Sequence, residues 1–150
     1  MASMEMQVAV LCDAATDYNG KLNVLGTFDT IHATRLPAVH PQCSIALRMT
    51  FNKVEEGAHR VRINFVDEDG KSVFKAHDAS GRPVSKPLEL DLAVQIPDDT
   101  ICISRNFVVN IQNLTFEKPG LYSVDIAVDG RQEGSIPLLV KHIPPKAAND

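Results

Sequence analysis

At 150 residues the chain has room for one domain with a single core, and its 44% hydrophobic and 23% charged residues suit a globular protein rather than a disordered one. A net charge of −4 with both signs interspersed leaves no polybasic stripe, and two Tyr with no Trp leave few stacking platforms, so nucleic acid and anionic membrane surfaces are excluded as partners. No run approaches the ~20 apolar residues of a membrane helix, Val8–Leu11 is too short for a signal-peptide core, and three scattered cysteines (Cys12, Cys43, Cys102) argue for a reducing, cytoplasmic compartment rather than a disulfide framework.

Met1–Ser3 precede a second methionine and are left outside the fold. The first strand is read over Glu5–Asp13, with Met6, Val8, Val10 and Cys12 on one face. Asn19-Gly20 turns it. A long second strand, Lys21–Thr34, carries Leu22, Val24 and Phe28 in phase, and Gly26 and the out-of-phase Ile31 predict a bulge near Gly26–Thr30. Leu36–Gln42 holds two prolines and is read as the crossover between sheets, not as a central strand. Cys43, Ile45, Leu47, Met49 and Phe51 then alternate with polar residues. Val61, Ile63 and Phe65 do the same within His59–Asp67, and Asp67–Gly70 turns the chain.

Ser72–Ala76 reads as a short strand and His77–Pro87 as a long loop. Leu88–Ile96 is a clean strand ended by Pro97-Asp98-Asp99. Arg105–Gln112 places Phe107, Val109 and Ile111 in phase, while Leu114 and Phe116 switch phase, predicting a bulge near Gln112–Asn113. Lys118-Pro119-Gly120 is a turn. Tyr122, Val124, Ile126 and Val128 follow at a spacing of two, Asp129-Gly130 demands a type I′ hairpin, and Ile136, Leu138 and Val140 return. No segment carries sustained helical periodicity. The expected fold is all-β: a two-sheet antiparallel immunoglobulin-like β-sandwich of about 8–9 strands, with a β-barrel as alternative. One domain spans 4–143, followed by a flexible tail over 144–150.

Phe116-Glu117-Lys118-Pro119-Gly120-Leu121-Tyr122, with Asp129-Gly130 and Ile136-Pro137-Leu138 beyond, resembles a hairpin pattern of bacterial immunoglobulin-like sandwiches. From Met4 to Ile143 the chain also resembles a family of uncharacterised bacterial one-domain proteins, which share a strand ending in a Cys-Asp-like step and the Val24–Phe28 pattern. That resemblance implies a fold and supplies no activity.

The chain contains no P-loop, no GxGxxG, HExxH or GxSxG, no CxxC pair and no zinc-spaced Cys/His cluster. Asp67, Asp69, Asp98 and Asp99 are the metal-ligand candidates, since calcium needs six to eight oxygens, with Asp13 and Asp17 able to join them. Turn chemistry is the favoured reading of these acids. The cysteines read as small buried hydrophobes, and His32, His40, His59, His77 and His142 as scattered strand-end residues. Asn113-Leu114-Thr115 matches the glycosylation tripeptide by chance. Arg48, Arg60 and Arg62 are expected on one outer face, paired across strands with Glu89 and Asp91.

The expectation is a non-enzymatic cytoplasmic protein-interaction or structural module. It works through the loops Leu36–Gln42 and His77–Pro87 or an unpaired sheet edge, and takes no cofactor. Its protein partner is unidentified, and a homodimer is compatible with the exposed edges. A divalent-metal or small-ligand binder using the acidic loops is the alternative, and an enzyme with a site assembled from distant residues is the third reading.

Overall fold

Asp129 and Gly130 take positive φ, 52° and 81°, and Val128 pairs directly with Arg131. That is the two-residue type I′ hairpin their residue types dictate. A computed structural model describes residues 4–78 and 80–144. Met1–Ser3, Ala79 within the expected His77–Pro87 loop, and 145–150 of the expected tail lie outside the described residues.

The strands are β1 (Glu5–Tyr18), β2 (Lys21–Phe28), β3 (Thr30–Ala33), β4 (Ala38–Asn52), β5 (Gly57–Val66), β6 (Ala76–His77), β7 (Pro83–Val84), β8 (Leu88–Val94), β9 (Cys102–Phe116), β10 (Gly120–Val128) and β11 (Arg131–His142). The fold is all-β, and the helical content of the described residues is one 3₁₀ turn, Lys53–Glu55. The larger sheet runs β2-β1-β4-β9-β6-β7 and the smaller β3-β11-β10-β5-β8. Pairing is antiparallel except between β3 and β11, which run parallel.

One core fills the space between the sheets. Leu11, Ile45, Leu47, Met49, Phe51, Leu114 and Phe116 enter it from the larger sheet, and Val61, Ile63, Phe65, Val124, Ile126 and Leu138 from the smaller. Each row sits at a spacing of two, the signature of strands buried on one face. The phase switch expected near Gln112–Asn113 is present. Asn113 takes φ 53°, and burial passes from Ile111 to Leu114 and Phe116. Beyond it Tyr122 donates its hydroxyl to the Lys118 carbonyl at 2.6 Å, and its ring packs 4.7 Å from Phe116. This is a tyrosine corner.

Three expectations about the first four strands change. The inward row of β1 is Met4, Met6, Ala9 and Leu11, not Met6, Val8, Val10 and Cys12, because the register with β4 shifts between Met6 and Val8. One extra residue there turns every later side chain to the opposite face. The second strand is broken: the chain leaves the larger sheet at Asp29 and enters the smaller as β3. The crossover is therefore Asp29, and the Leu36-Pro37 turn is the return. Ala38–Gln42 is strand after all, paired to β9 from Ala38↔Phe116 onward. Pro41 is tolerated because β1 pairs with β4 only as far as Cys12↔Ser44, which leaves that side of the strand without a ladder.

The outer face of the larger sheet is partly roofed by its own hairpin. Arg48 Nη1 and Asn106 Nδ2 both donate to the Gly20 carbonyl, at 3.0 and 3.1 Å. Asn106 also reaches Asp17 Oδ1 at 3.2 Å, and Arg48 reaches Gln7 and Asn106 at 3.0 and 2.7 Å. The tip of β1–β2 is thereby drawn back over β4 and β9. Cys12, Ser44 and Ala46 lie on this outer face, yet are at most 1% exposed.

Candidate functional site

β9 pairs with β4 from Cys102 to Phe116 on one side. On its other side it meets only β6, at His77↔Gln112, and the Lys75 carbonyl at the Thr115 amide, 2.9 Å. Cys102–Asn110 is therefore an edge without a strand partner among the described residues. β8, next in chain order, is the edge of the smaller sheet on the same flank. The inward rows of the two strands, Ile103, Phe107 and Val109 against Leu88 and Leu90, are half-buried where the sheets part.

Some of the other open stretches carry devices that discourage pairing: β2, the far edge of the larger sheet, has Gly26 at φ 70°, the part of β1 before its pairing with β2 has the register shift after Met6, and the part of β11 before its pairing with β3 has Pro137. The β9 register with β4 runs from Gln42↔Gln112 to Asn52↔Cys102 without interruption. Its one charge in the inward row is Arg105, which is exposed and stretches to the Ala93 carbonyl of β8 at 3.4 Å. The sequence signal for it was legible: Arg105 has the parity of Phe107 and Val109, a cation in an apolar row.

Residues 7–141 match the model of a family of unknown function, DUF6941. The chain belongs to this family. The DUF6941 match reaches from β1 to β11 and so takes in both sheets. No curated protein matches the chain. Among solved structures it is similar to an alkylpurine DNA glycosylase, AlkC, of Pseudomonas fluorescens bound to DNA containing an abasic site analog, at 12% identity and TM-score 0.39. That alignment covers 93% of this chain and 31% of the glycosylase, so the chain spans under a third of that protein. It is also similar to the CooA pilin subunit of enterotoxigenic Escherichia coli, at 12% identity and TM-score 0.30, covering 91% of this chain and 99% of the pilin.

In this DUF6941 chain the four acidic candidates are not brought together. Asp67 and Asp69 follow the end of β5, whereas Asp98 and Asp99 follow β8, whose last residue Val94 pairs with Gly57 at the start of β5. A ten-residue strand separates the two pairs. Asp67 Oδ1 accepts the Asp69 and Lys71 amides, both at 3.0 Å. Asp98 faces Lys53 Nζ at 3.5 Å, and Asp99 accepts the Thr100 hydroxyl at 3.1 Å. Among the described residues no three His, Cys, Asp or Glu side chains are placed to share a metal ion. The melting temperature is expected to stay the same, within a degree or so, in millimolar calcium and in chelator; a calcium-dependent rise would place a site in these loops.

Arg60 and Arg62 do share an outer face, and Arg60 pairs across strands with Asp91 at 3.1 Å and Glu89 at 3.7 Å. Arg48 belongs to the other sheet and serves the hairpin roof instead. The Cys43 thiol, buried in the core, is pushed up to about 12, chiefly by burial.

His59 is held at both ring nitrogens. Nδ1 lies 2.6 Å from Asp129 Oδ2, and Nε2 meets the Glu55 carbonyl oxygen. Both partners are acceptors, so the arrangement favours the doubly protonated ring. Burial pulls its pKa down, but Asp129 and Glu55 together hold it above 6.5. Burial likewise lifts Asp129, and the His59 ring and Arg60 amide outweigh it, holding the carboxyl below 3.8.

The contribution of His59 to stability is complete below pH 6.5 and is lost as pH rises through its higher folded-state value. That of Asp129 is complete above pH 3.8 and is lost as pH falls through its lower one. His40 has the opposite sign to His59. Burial lowers its pKa against the pull of Asp13, so its contribution fades on acidification below 6.5. Raising the pH from 6.5 to about 8.5 is expected to lower the melting temperature of the native chain but not that of His59→Phe. Equal falls in both would remove this clamp from the account.

Proposed function

We propose that this chain is a non-enzymatic protein-interaction module that accepts an extended peptide strand along Cys102–Asn110. The observation that carries the reading is the uninterrupted β9 edge, whose apolar inward row is only half-covered. A docked strand supplies main-chain hydrogen bonds to that edge, and its alternate side chains cover Ile103, Phe107 and Val109. Arg105 selects an acidic residue at its register, because a cation without an ion pair among the described residues, beside a covered apolar seam, gains most from an opposite charge.

The non-enzymatic part is supported by two groups already committed elsewhere. Cys43 is buried and held as a thiol, and His59 spends both nitrogens on structural partners. Three free cysteines, of which Cys102 is exposed, suit a reducing, cytoplasmic compartment. The tyrosine corner supports an immunoglobulin-like classification of the sandwich.

The test is selection of ten-residue peptides from a displayed library on the purified chain. Expected binders alternate apolar and polar residues with an acidic residue near the middle. They are expected to lose about tenfold or more in affinity on Phe107→Asp, and on Arg105→Glu to give way to binders with a basic residue there. Peptides that bind both variants as well as the native chain would overturn the reading. A concentration-dependent dimer abolished by Phe107→Asp would assign the edge to a second copy instead.

A further inference from the structure

Between β3 and the start of β4 lies an open cleft of about 510 Å³, lined by residues 31–35 on one side and 37–41 on the other. The buried residues among them, Ile31, Ala33 and Ala38, are apolar, and Val39, 52% exposed, adds apolar surface with Pro37 and Pro41. β3 is the edge of the smaller sheet, at the opposite end of its strand order from β8. The Asp29 and Ala33 carbonyls face β11, accepting the Leu139 and Ile143 amides at 2.8 and 2.9 Å. Backbone groups alternate sides along a strand, so the His32 main chain is turned to the open side. On its side away from β9, β4 has no ladder before Ser44. Among the described residues, therefore, no third strand covers the cleft.

The ionisable side chains that line it are all basic: His32, Arg35 and His40. The sequence sets this end apart. The chain carries 19 Asp and Glu, yet none occurs from position 30 to 54 or from 134 to 149. Lys141 stands beside His32 in the parallel register. Neither Arg35 nor Lys141 makes an ion pair among the described residues. Asp13 is felt at His40, and Asp29 accepts the Thr30 hydroxyl at 3.0 Å, but neither acid lines the cleft. The His40 ring packs 5.1 Å from Phe28.

An excess of positive charge without an internal partner attracts an anion. The planar fork of an arginine takes a carboxylate with two parallel hydrogen bonds. The volume lies within the range of roughly 300–1,000 Å³ typical of small-molecule sites, which pair apolar surface with a few polar groups. The geometry points to a binding site for a small organic carboxylate, with its acid group on Arg35 and its apolar body along Pro37, Val39 and Pro41. The site lies away from the β9 flank and stands whether or not a strand docks there.

The experiment is a titration of the purified chain with benzoate and with benzamide, an uncharged counterpart of the same size, followed by amide and methyl NMR shifts. Benzoate is expected to move the Ile31, Ala33 and Val39 signals saturably and to bind about tenfold more tightly than benzamide. Arg35→Gln is expected to erase that preference while leaving the benzamide affinity unchanged. Val39→Asp, which places a carboxylate in the cleft, is expected to abolish the benzoate shifts. Both positions are exposed, so neither change threatens the fold. Absence of saturable benzoate shifts, equal affinities for the two probes, or a benzoate preference that survives Arg35→Gln would overturn the site. Inorganic phosphate binding as tightly as benzoate to the same residues would overturn it too, because the apolar body would then count for nothing.

Discussion

Phe116→Ala is expected to cost about 3–5 kcal/mol of folding stability, the range for deleting a buried aromatic ring. Phe116 is 2% exposed at the end of β9. Its ring meets Phe65 edge-on at 6.3 Å and Tyr122 at 4.7 Å, and Phe65 in turn packs 5.1 Å from Phe74. Removing the hub leaves a void bordered by aromatic rings that cannot collapse into it, because strand pairing holds their backbones. Tyr122 loses its packing surface while its hydroxyl stays tethered to Lys118. By comparison Tyr122→Phe, which deletes only that hydrogen bond, is expected to cost about 1 kcal/mol. Urea unfolding reads both as shifts in midpoint at constant slope. A Phe116→Ala loss smaller than that of Tyr122→Phe would mean that the aromatic cluster is not the keystone of this end of the core.

Arg48→Ala is expected to cost roughly 2–3 kcal/mol, the scale for hydrogen bonds from a charged donor, and to release the hairpin before the sandwich unfolds. Its guanidinium joins Gln7, Asn106 and the Gly20 carbonyl, so one side chain ties the hairpin tip to two strands of the face beneath. The readout is Cys12. Burial leads the causes that raise its thiol pKa, and the fully covered sulfur donates to the Ser44 carbonyl at 3.5 Å. In a Cys102→Ser background, which removes the exposed thiol, Cys12 is expected to react with a thiol reagent at least about tenfold faster in Arg48→Ala, since ~1.4 kcal/mol is worth tenfold in opening. Cys43, inside the core, is expected to stay slow in both. Unchanged Cys12 labelling would show that the roof is held by packing alone.

What was legible in the sequence was local. Asp129-Gly130 dictates its own turn, and the change of phase from Ile111 to Leu114 announces the irregularity at Asn113, because both signals lie within a few residues. The inward row of β1 was not legible, because the register shift after Met6 is fixed by pairing with β4 rather than by any residue near it. The irregularity within Gly26–Thr30 was legible from Gly26 and the phase of Ile31, but the change of sheet at Asp29 was not, because strand propensity continues on either side. The hairpin roof depends on Arg48 finding a carbonyl 28 residues away, and alternation alone marks that residue only as outward-facing. The β9 edge was half legible. Its parity placed Arg105 among apolar residues, but only the strand order shows that no strand lies beside it.

The parallel pairing of β3 with β11 bears on how the chain is made. Thr30 finds its neighbour in Leu139, and the Ile143 amide donates to the Ala33 carbonyl at 2.9 Å. During synthesis β1 and β2 can zip as soon as they emerge, but β3 has no sheet to join until the last strand leaves the ribosome. The smaller sheet therefore closes late, with an early segment waiting on a distant one, and such non-local pairings are slow to form. A nascent chain stalled before Arg131 holds Ile31 and Ala33 in water, a stretch that a chaperone can protect.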